Sequence, residues 1–253
     1  MARLLFPFHA LHFWRVTHFK PTLEVFRHLH NELERAIGFQ WEAYKAGPLR
    51  TESRDWEDGS PLQEIQFHAG FNSEAWDLDE LVGIYLPSLQ RASLFLAFYA
   101  EAEHALIELC QVIARSQLEL PAFKDIDLRT YPRLKRAKGL EKAVRYLDDK
   151  DLVGLAPLRK VGAWAEIKAI RDLRNVFAHR NGRISVTGDL KSYGSLQTNL
   201  SILEVGRGFV ETRIVLEPQF IPQVLDTMNR FAEQVQTALK VKFPLASIED
   251  VPA

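Results

Sequence analysis

Long segments with apolar residues at helical spacing dominate this chain and most constrain its fold. Residues three, four and seven positions apart share one face of a helix. Over 157–180, that face carries Ala163, Ile167, Ile170, Leu173 and Phe177. The same periodicity predicts helices over 21–45, 88–116, 132–147, 157–180 and 218–241. Alternating apolar and polar residues around Gly206-Arg207-Gly208 instead predict a β-hairpin near 199–216, so we expect a mainly α fold with one hairpin before the final helix.

The length of the chain and the positions of its polar and proline-containing segments suggest how it is divided. A chain of 253 residues can hold one large domain with an extension. We expect an N-terminal helical extension over 1–75, with a polar loop at 48–61 and a short helix at 61–69. A helical domain follows over 76–243, in which Pro87 interrupts a helical stretch that begins at Asp77, and residues 244–253 form a tail.

Several features argue for a soluble protein in a reducing compartment. The single cysteine, Cys110, excludes an internal disulfide. The N-terminal apolar stretch is broken by Pro7, His9 and His12 and lacks a small-residue cleavage site, which is not the pattern of a signal peptide. The most apolar run, 92–100, is too short to cross a bilayer. We therefore expect a cytoplasmic protein without a membrane partner.

The near-zero net charge of −1 hides an uneven distribution. Residues 1–128 carry a net charge of −8, whereas residues 129–183 carry 15 basic and 6 acidic side chains, a net charge of +9. Such a block can neutralise several phosphates and favours nucleic-acid binding, although a solvated face that pairs with the acidic half remains open. The residues that we expect to contact nucleic acid are Arg133, Lys135, Arg136, Lys138, Arg171, Arg180 and Arg183.

The chemistry of the chain is concentrated in one run at the end of the helix predicted over 157–180. It reads Arg174-Asn175-Val176-Phe177-Ala178-His179 and is followed by Arg180-Asn181-Gly182, a typical helix stop. A guanidinium can hold a phosphate with two parallel hydrogen bonds, and an imidazole can transfer protons near neutral pH. His179 also has a purely structural interpretation, as a cation that stabilises the helix C-terminus.

Helical geometry restricts how Arg174 and His179 can act together. On a regular helix, a step of about 100° per residue places them about 140° apart, so they cannot reach the same atom. Either the helix unwinds near Ala178, or two copies of the chain meet across a two-fold axis and share a site. Arg174 also falls inside the apolar stripe, where a charge needs a partner. We expect either that Glu103 of the helix over 88–116 supplies that partner or that both side chains extend to solvent.

The sequence IRDLRNVFAHRNG resembles the end-of-helix motif of HEPN domains, the higher eukaryote and prokaryote nucleotide-binding domains. Arg174 matches the family's arginine, Asn175 its polar residue and His179 its histidine. The resemblance covers 160–183 and extends more loosely to 88–116. It implies a HEPN-like antiparallel helical bundle that acts as a homodimer.

Many HEPN proteins are metal-independent ribonucleases of toxin–antitoxin, CRISPR-associated or anti-phage systems, and others are non-catalytic binding modules. For this chain the resemblance implies an endoribonuclease in which His179 moves a proton, Arg174 holds the phosphate, and Asn175 orients His179 or donates to the phosphate. Glu103, which the helix geometry suggests, would support them. RNA is the expected substrate, an antitoxin or regulatory protein a further partner, and neither a metal nor another cofactor is expected. The alternative is a non-catalytic module that binds RNA, a nucleotide or a partner protein.

Overall fold

The protein is mainly helical with a small β component, as seen in a computed structural model of the chain. The described residues are 19–47, 50–54, 63–68, 70–116, 121–123, 126, 130–135, 137–155, 158–160, 163–185, 190–205 and 211–243. Their helices are α1 (Lys20–Lys45), α2 (Leu78–Glu80), α3 (Leu86–Ser116), α4 (Gly139–Asp148), α5 (Ala163–Arg180) and α6 (Phe220–Lys242). Their strands are β1 (Arg50–Arg54), β2 (Gln63–His68), β3 (Phe71–Asn72), β4 (Leu200–Val205) and β5 (Glu211–Leu216).

Short helical turns connect several of these elements. They are Leu81–Tyr85, Pro132–Leu134, Leu158–Lys160 and Leu190–Asn199. Strands β1, β2 and β3 form one antiparallel sheet in that order, and β4 pairs with β5 in a second. Leu200 lies opposite Leu216 and Val205 opposite Glu211, which confirms the predicted hairpin strands. The predicted turn at 206–208 lies outside the described residues.

The chain divides into two compact units that alternate along the sequence. The first comprises 1–27, 97–168 and 223–253, and the second comprises 28–96 and 169–222. In the first unit, Trp164 of α5 packs against Phe231 of α6 with ring centroids 6.1 Å apart. Glu166 accepts hydrogen bonds from Thr227 and Arg230 of α6 at 2.7 and 2.6 Å. These contacts fix the beginning of α5 against α6.

The second unit joins the hairpin to the other half of α5. Phe95 of α3 makes edge contacts with Phe177 of α5 and with Phe220, at centroid distances of 6.4 and 5.1 Å. The Ser88 hydroxyl accepts a hydrogen bond from the Leu216 amide, and the buried Arg91 donates to the Leu216 carbonyl. Because α3 supplies hydrogen-bond partners for both the amide and the carbonyl of Leu216, the outer edge of β5 is paired at this residue.

The predictions for the N-terminal region were wrong in part. Helix α1 is confirmed, but the predicted short helix at 61–69 is strand β2 over Gln63–His68, and the predicted loop at 48–61 contains strand β1. Ile65 and His68 are buried while Glu64 and Gln66 are exposed, a pattern closer to a strand than to a helix. Region 1–75 is therefore not wholly helical. The polar β1 forms because it pairs along its length with β2.

Three helix boundaries also differ from expectation, and one is the start of α5, which begins at Ala163 and not at 157. Pro87 does not interrupt the helix, because the wide turn over Leu81–Tyr85 precedes it and the Leu86 amide bonds to the Leu81 carbonyl. Such a turn lets the helix continue past a proline that lacks a donor. Helix α4 begins at Gly139 and not at 132, since Lys138 is extended and Gly139 has a φ of 51°. The segment Pro132–Leu134 is a separate 3-10 turn.

The apolar stripe predicted over 157–180 is confirmed, because all five of its residues are buried in α5. Helix α6 buries a similar stripe of Phe220, Val224, Met228, Phe231, Val235 and Leu239. On α3, Phe98, Tyr99 and Leu106 are buried and Ala100 is exposed. Among the described residues, the stretch Leu78–Arg115 is long and apolar enough to span a bilayer, but 44% of its most apolar window is buried, consistent with a helix in a soluble protein core.

Candidate functional site

Helix α5 remains regular through the whole candidate motif. It ends at Arg180, and the Asn181 amide still bonds to the Phe177 carbonyl at 3.1 Å. Asn181 and Gly182 then adopt positive φ values of 52° and 79°, which stops the helix where the sequence predicted. The alternative in which the helix unwinds near Ala178 is therefore wrong. Sharing of the site between two copies stays a prediction.

The end of α5 forms an open cleft with a cavity volume of about 560 Å³, which we call the cationic groove. It is lined by Phe177, Ala178, His179, Arg180, Asn181 and Arg183. His179, Arg180 and Arg183 are exposed, and none of the described residues that line the groove carries a carboxylate. Positive groups that converge on an open surface attract an anion and steer its approach.

Arg174 lies apart from this groove on the helix. It is half-buried, is absent from the groove lining, and its Nη1 donates a hydrogen bond to the Asn175 Oδ1 at 3.1 Å. The contact holds the guanidinium against its own helix and leaves the Asn175 amide nitrogen as a donor. Asn175 therefore contacts Arg174, whereas its orientation of His179 or donation to a phosphate stays a prediction.

Strand β5 holds in place the segment after α5 that contributes to the cationic groove. The Ile214 amide donates to the Gly182 carbonyl at 2.9 Å, and the Ile184 amide donates to the Thr212 carbonyl at 3.0 Å. Gly182 is required here because a Cβ would come within 2.9 Å of the Phe177 ring, in addition to the strain of a positive φ. The groove is thus held by the hairpin as well as by α5.

Arg213 and Glu211 are site residues that sequence reasoning missed. Arg213 is buried, donates to the Asn181 carbonyl at 3.0 Å, and lies over the Tyr85 ring at 5.2 Å. Glu211 bonds to Arg213 at 2.6 Å and to the groove residue Arg183 at 3.0 Å. The sequence pattern predicted only a hairpin over this segment. In the structure β5 is buried from Thr212 to Leu216 on both faces, which places Arg213 inside the fold.

Tyr193 adds a hydroxyl to the surroundings of Arg180. Burial raises the pKa of Tyr193, Asp172 raises it further, and Arg180 lowers it. The phenol therefore lies within electrostatic reach of both charged groups. A tyrosine in the segment 184–199 carried no sequence signal, because its position depends on how the 3-10 turn at Leu190–Asn199 folds back.

The remaining predicted site residues are distributed between the two units. Arg171 is half-buried and pairs with Asp172 at 2.8 Å. Lys135 and Lys138 are exposed, while Arg136 and the Arg133 side chain lie outside the described residues. A continuous RNA-binding surface through all these residues stays a prediction. In the described part of the chain, no group of three His, Cys, Asp or Glu residues is placed to hold a metal ion.

Glu103 has a structural partner of its own. Its Oε2 accepts a hydrogen bond from the Leu140 amide at 3.2 Å, at the N-terminus of α4, and a Cβ at Gly139 would overlap its carboxylate. A carboxylate in that position satisfies a free helix amide and interacts favourably with the helix dipole. Glu103 and Arg174 belong to different units, and their pairing stays a prediction.

Comparison of this chain with protein-family models, with curated proteins and with solved structures finds no match. The HEPN resemblance therefore depends on the motif residues, and a function has to be argued from the chemistry of the groove.

Proposed function

We propose that the protein is a metal-independent endoribonuclease of HEPN type that works as a homodimer. The observation that carries the proposal is the exposed His179 in an open groove beside Arg180 and Arg183. A histidine in such a place can exchange protons with solvent and with a bound ester. Two neighbouring guanidinium groups supply the charge that a phosphodiester needs.

The reaction follows from these groups. The ribose 2′-hydroxyl attacks the adjacent phosphorus while the bond to the 5′-oxygen of the next nucleotide breaks, and His179 takes or gives the proton. Arg174 holds the non-bridging phosphate oxygens and offsets the charge that develops on them. The products are a 2′,3′-cyclic phosphate and a 5′-hydroxyl. DNA is not cleaved because it lacks the attacking group.

A second copy of the chain completes the site in this proposal. Since α5 is regular to Arg180, Arg174 of one copy cannot face the groove that holds its own His179. Two motif helices related by a two-fold axis would place Arg174 of one beside His179 of the other. A toxin or defence role, with an antitoxin or regulatory partner, fits such an activity and remains part of the proposal.

The decisive experiment measures cleavage of an RNA of mixed nucleotide sequence in the presence of a metal chelator. We expect His179→Ala to lower the cleavage rate by a factor on the order of 10²–10⁴, because it removes the proton-transfer group. His104→Ala is the matched control, since His104 is also exposed and helical but pairs with Glu108. Equal cleavage by wild type and His179→Ala, or a loss of activity with chelator alone, would reject the proposal.

One observation favours the alternative of a non-catalytic module. Arg174 is bonded to Asn175 and does not line the groove, so a single chain offers an anion-binding surface without the complete motif. That alternative predicts RNA or nucleotide binding that needs Arg180 and Arg183, together with no cleavage by the wild-type protein. The cleavage experiment distinguishes the two functions.

A further inference from the structure

Glu211 pairs with Arg183, one of the two arginines that line the cationic groove. Its carboxylate bridges two guanidinium groups, with Arg183 at 3.0 Å and Arg213 at 2.6 Å. The two arginines differ in exposure, because the Arg183 side chain is 57% exposed whereas that of Arg213 is 10% exposed. Arg213 is thus a buried structural cation, and Arg183 is a surface cation that can also meet a ligand.

Arg213 has partners that do not depend on Glu211 alone. It also donates to the Asn181 carbonyl and lies over the Tyr85 ring. Arg183, by contrast, has Glu211 as its side-chain ion-pair partner among the described residues. An exposed ion pair of this kind contributes little to stability. Its larger consequence is electrostatic, since the carboxylate cancels one of the groove's positive charges.

We infer that Glu211 occupies the position on Arg183 that a phosphate group would take, and so limits the affinity of the cationic groove for RNA. The inference rests on the proposed function, and it names an affinity-determining residue outside the motif. A carboxylate and a phosphate offer the same type of acceptor to a guanidinium. An incoming phosphodiester must therefore either displace Glu211 from Arg183 or bind beside it against its negative charge.

The test uses Glu211→Gln, which keeps an acceptor for the buried Arg213 but removes the charge. Binding is measured with a 2′-O-methyl RNA oligonucleotide, which cannot be cleaved, over a range of salt concentrations. When the protein neutralises one more phosphate of a single strand, the salt slope steepens by about 0.7 and the affinity near 0.1 M salt rises about fivefold. Glu204→Gln, an exposed glutamate on the partner strand β4, is the matched control and should leave both values unchanged.

The role of Arg183 is isolated by repeating the measurement in an Arg183→Gln background. Glu211→Gln should then leave the affinity unchanged, because the cation that it releases is missing. An increase of equal size without Arg183, or from Glu204→Gln, would show a general charge effect and overturn the inference. Should Glu211→Gln fold poorly, Glu211→Asp keeps an anion beside Arg213 and shortens the bridge to Arg183, with a smaller increase in affinity expected.

A second probe separates this inference from the proposed function. Inorganic pyrophosphate is titrated into the same proteins while the Nε–H resonance of the Arg183 guanidinium is followed by NMR. If wild type binds RNA but Glu211→Gln binds neither ligand more tightly, the inference fails and the proposed function stands. If no protein binds RNA but Glu211→Gln binds pyrophosphate more tightly through Arg183, Glu211 competes with phosphate at Arg183, but its effect on RNA affinity and the proposed function both fail. If neither ligand binds any variant, both fail.

Discussion

Two clefts in the second unit are similar in size and opposite in charge. The cationic groove, residues 177–183, has a volume of about 560 Å³. The other, which we call the acidic groove, has a volume of about 640 Å³ and lies along α1, α2 and the turn at 81–85. Its lining includes Glu34, Trp41, Asp77, Asp79 and Glu80, with no lysine or arginine among the described residues that line it.

The two grooves differ most in where their polar groups find partners. Glu34 forms a two-pronged pair with Arg91 at 2.7 and 2.8 Å, Asp77 accepts from the Glu80 amide, and Asp79 accepts from the Tyr44 hydroxyl at 2.6 Å. Burial and Asp79 together raise the pKa of Tyr44 to about 12. By contrast, no hydrogen bond or ion pair among the described residues involves the His179 imidazole. The carboxylates of Glu34, Asp77 and Asp79 thus have partners within the chain, whereas the His179 imidazole is not bonded to any described residue.

The largest effect that distinguishes the grooves is expected from mixing two inactive variants. Arg174→Ala and His179→Ala each remove one half of the proposed composite site. Mixed dimers regain one intact site, because Arg174 then comes from one copy and His179 from the other. With random pairing, we expect about a quarter of wild-type cleavage from an equal mixture. The measurement is the initial cleavage rate after the two proteins have exchanged subunits.

Controls make this result interpretable. Mixing Arg174→Ala with Arg174→Ala,His179→Ala should restore nothing, since no pairing then rebuilds a complete site. A mixture of the single variants that stays inactive, although both form mixed dimers, would contradict a shared site. Cleavage by a monomeric protein would contradict it as well. The acidic groove should show no such dependence, because its paired carboxylates have their partners in the same chain.

The comparison also shows what the sequence can and cannot predict. The end of α5 was predictable, because the apolar stripe from Ala163 to Phe177 and the Asn181-Gly182 stop are local signals. The groove around it was not, because Arg213 reaches the Asn181 carbonyl across 32 positions and only the fold brings them together. The sheet at 50–72 was missed for the same reason. The polar segment of β1 forms a strand because it pairs with β2, and this pairing overrides its low intrinsic preference for a strand.

The next effect concerns the free energy of unfolding. It should be large for a substitution in the acidic groove and small for one in the cationic groove. Glu34→Ala leaves the Arg91 side chain, 7% exposed, without its carboxylate, and the loss of one partner of a buried pair costs about 3–5 kcal/mol. Arg180→Ala removes an exposed side chain and should change the free energy of unfolding by less than about 0.5 kcal/mol. Urea unfolding measures both. Replacing Glu34 and Arg91 together by methionine should recover part of the loss, because it removes the unpaired charge but also the Arg91 bond to the Leu216 carbonyl.

The double variant tests whether the loss of stability in Glu34→Ala comes from an unpaired charge or from lost packing. If Glu34→Ala costs no more than Arg180→Ala, the carboxylates of the acidic groove are not held by the fold, and the contrast between the grooves disappears. If the double variant is as unstable as Glu34→Ala, the loss comes from packing and not from an unpaired charge. RNA binding should fall for Arg180→Ala and stay unchanged for folded Glu34 variants.

The smallest expected effect is a pH dependence of stability that comes from His30, which lies next to Glu34 of the acidic groove. His30 is buried, its Nδ1 lies 3.8 Å from Glu34, and burial lowers its pKa from the ordinary value of 6.5, with Arg91 lowering it and Glu34 raising it. The unfolded chain then binds a proton more readily than the native protein, so stability rises with pH in this range. The contribution of neutral His30 is complete above pH 6.5 and is lost as the pH falls towards the lower native pKa.

Unfolding in urea at pH 7.5 and 5.5 measures this effect. We expect His30→Gln to show a smaller loss of stability on acidification than wild type, because glutamine has no proton to gain. The exposed His28 on the same helix is the matched control, and His28→Gln should behave as wild type. An unchanged loss in His30→Gln would mean that other groups carry the pH dependence. Since His30 borders Glu34 and not the cationic groove, His30→Gln should leave the rate of RNA cleavage unchanged.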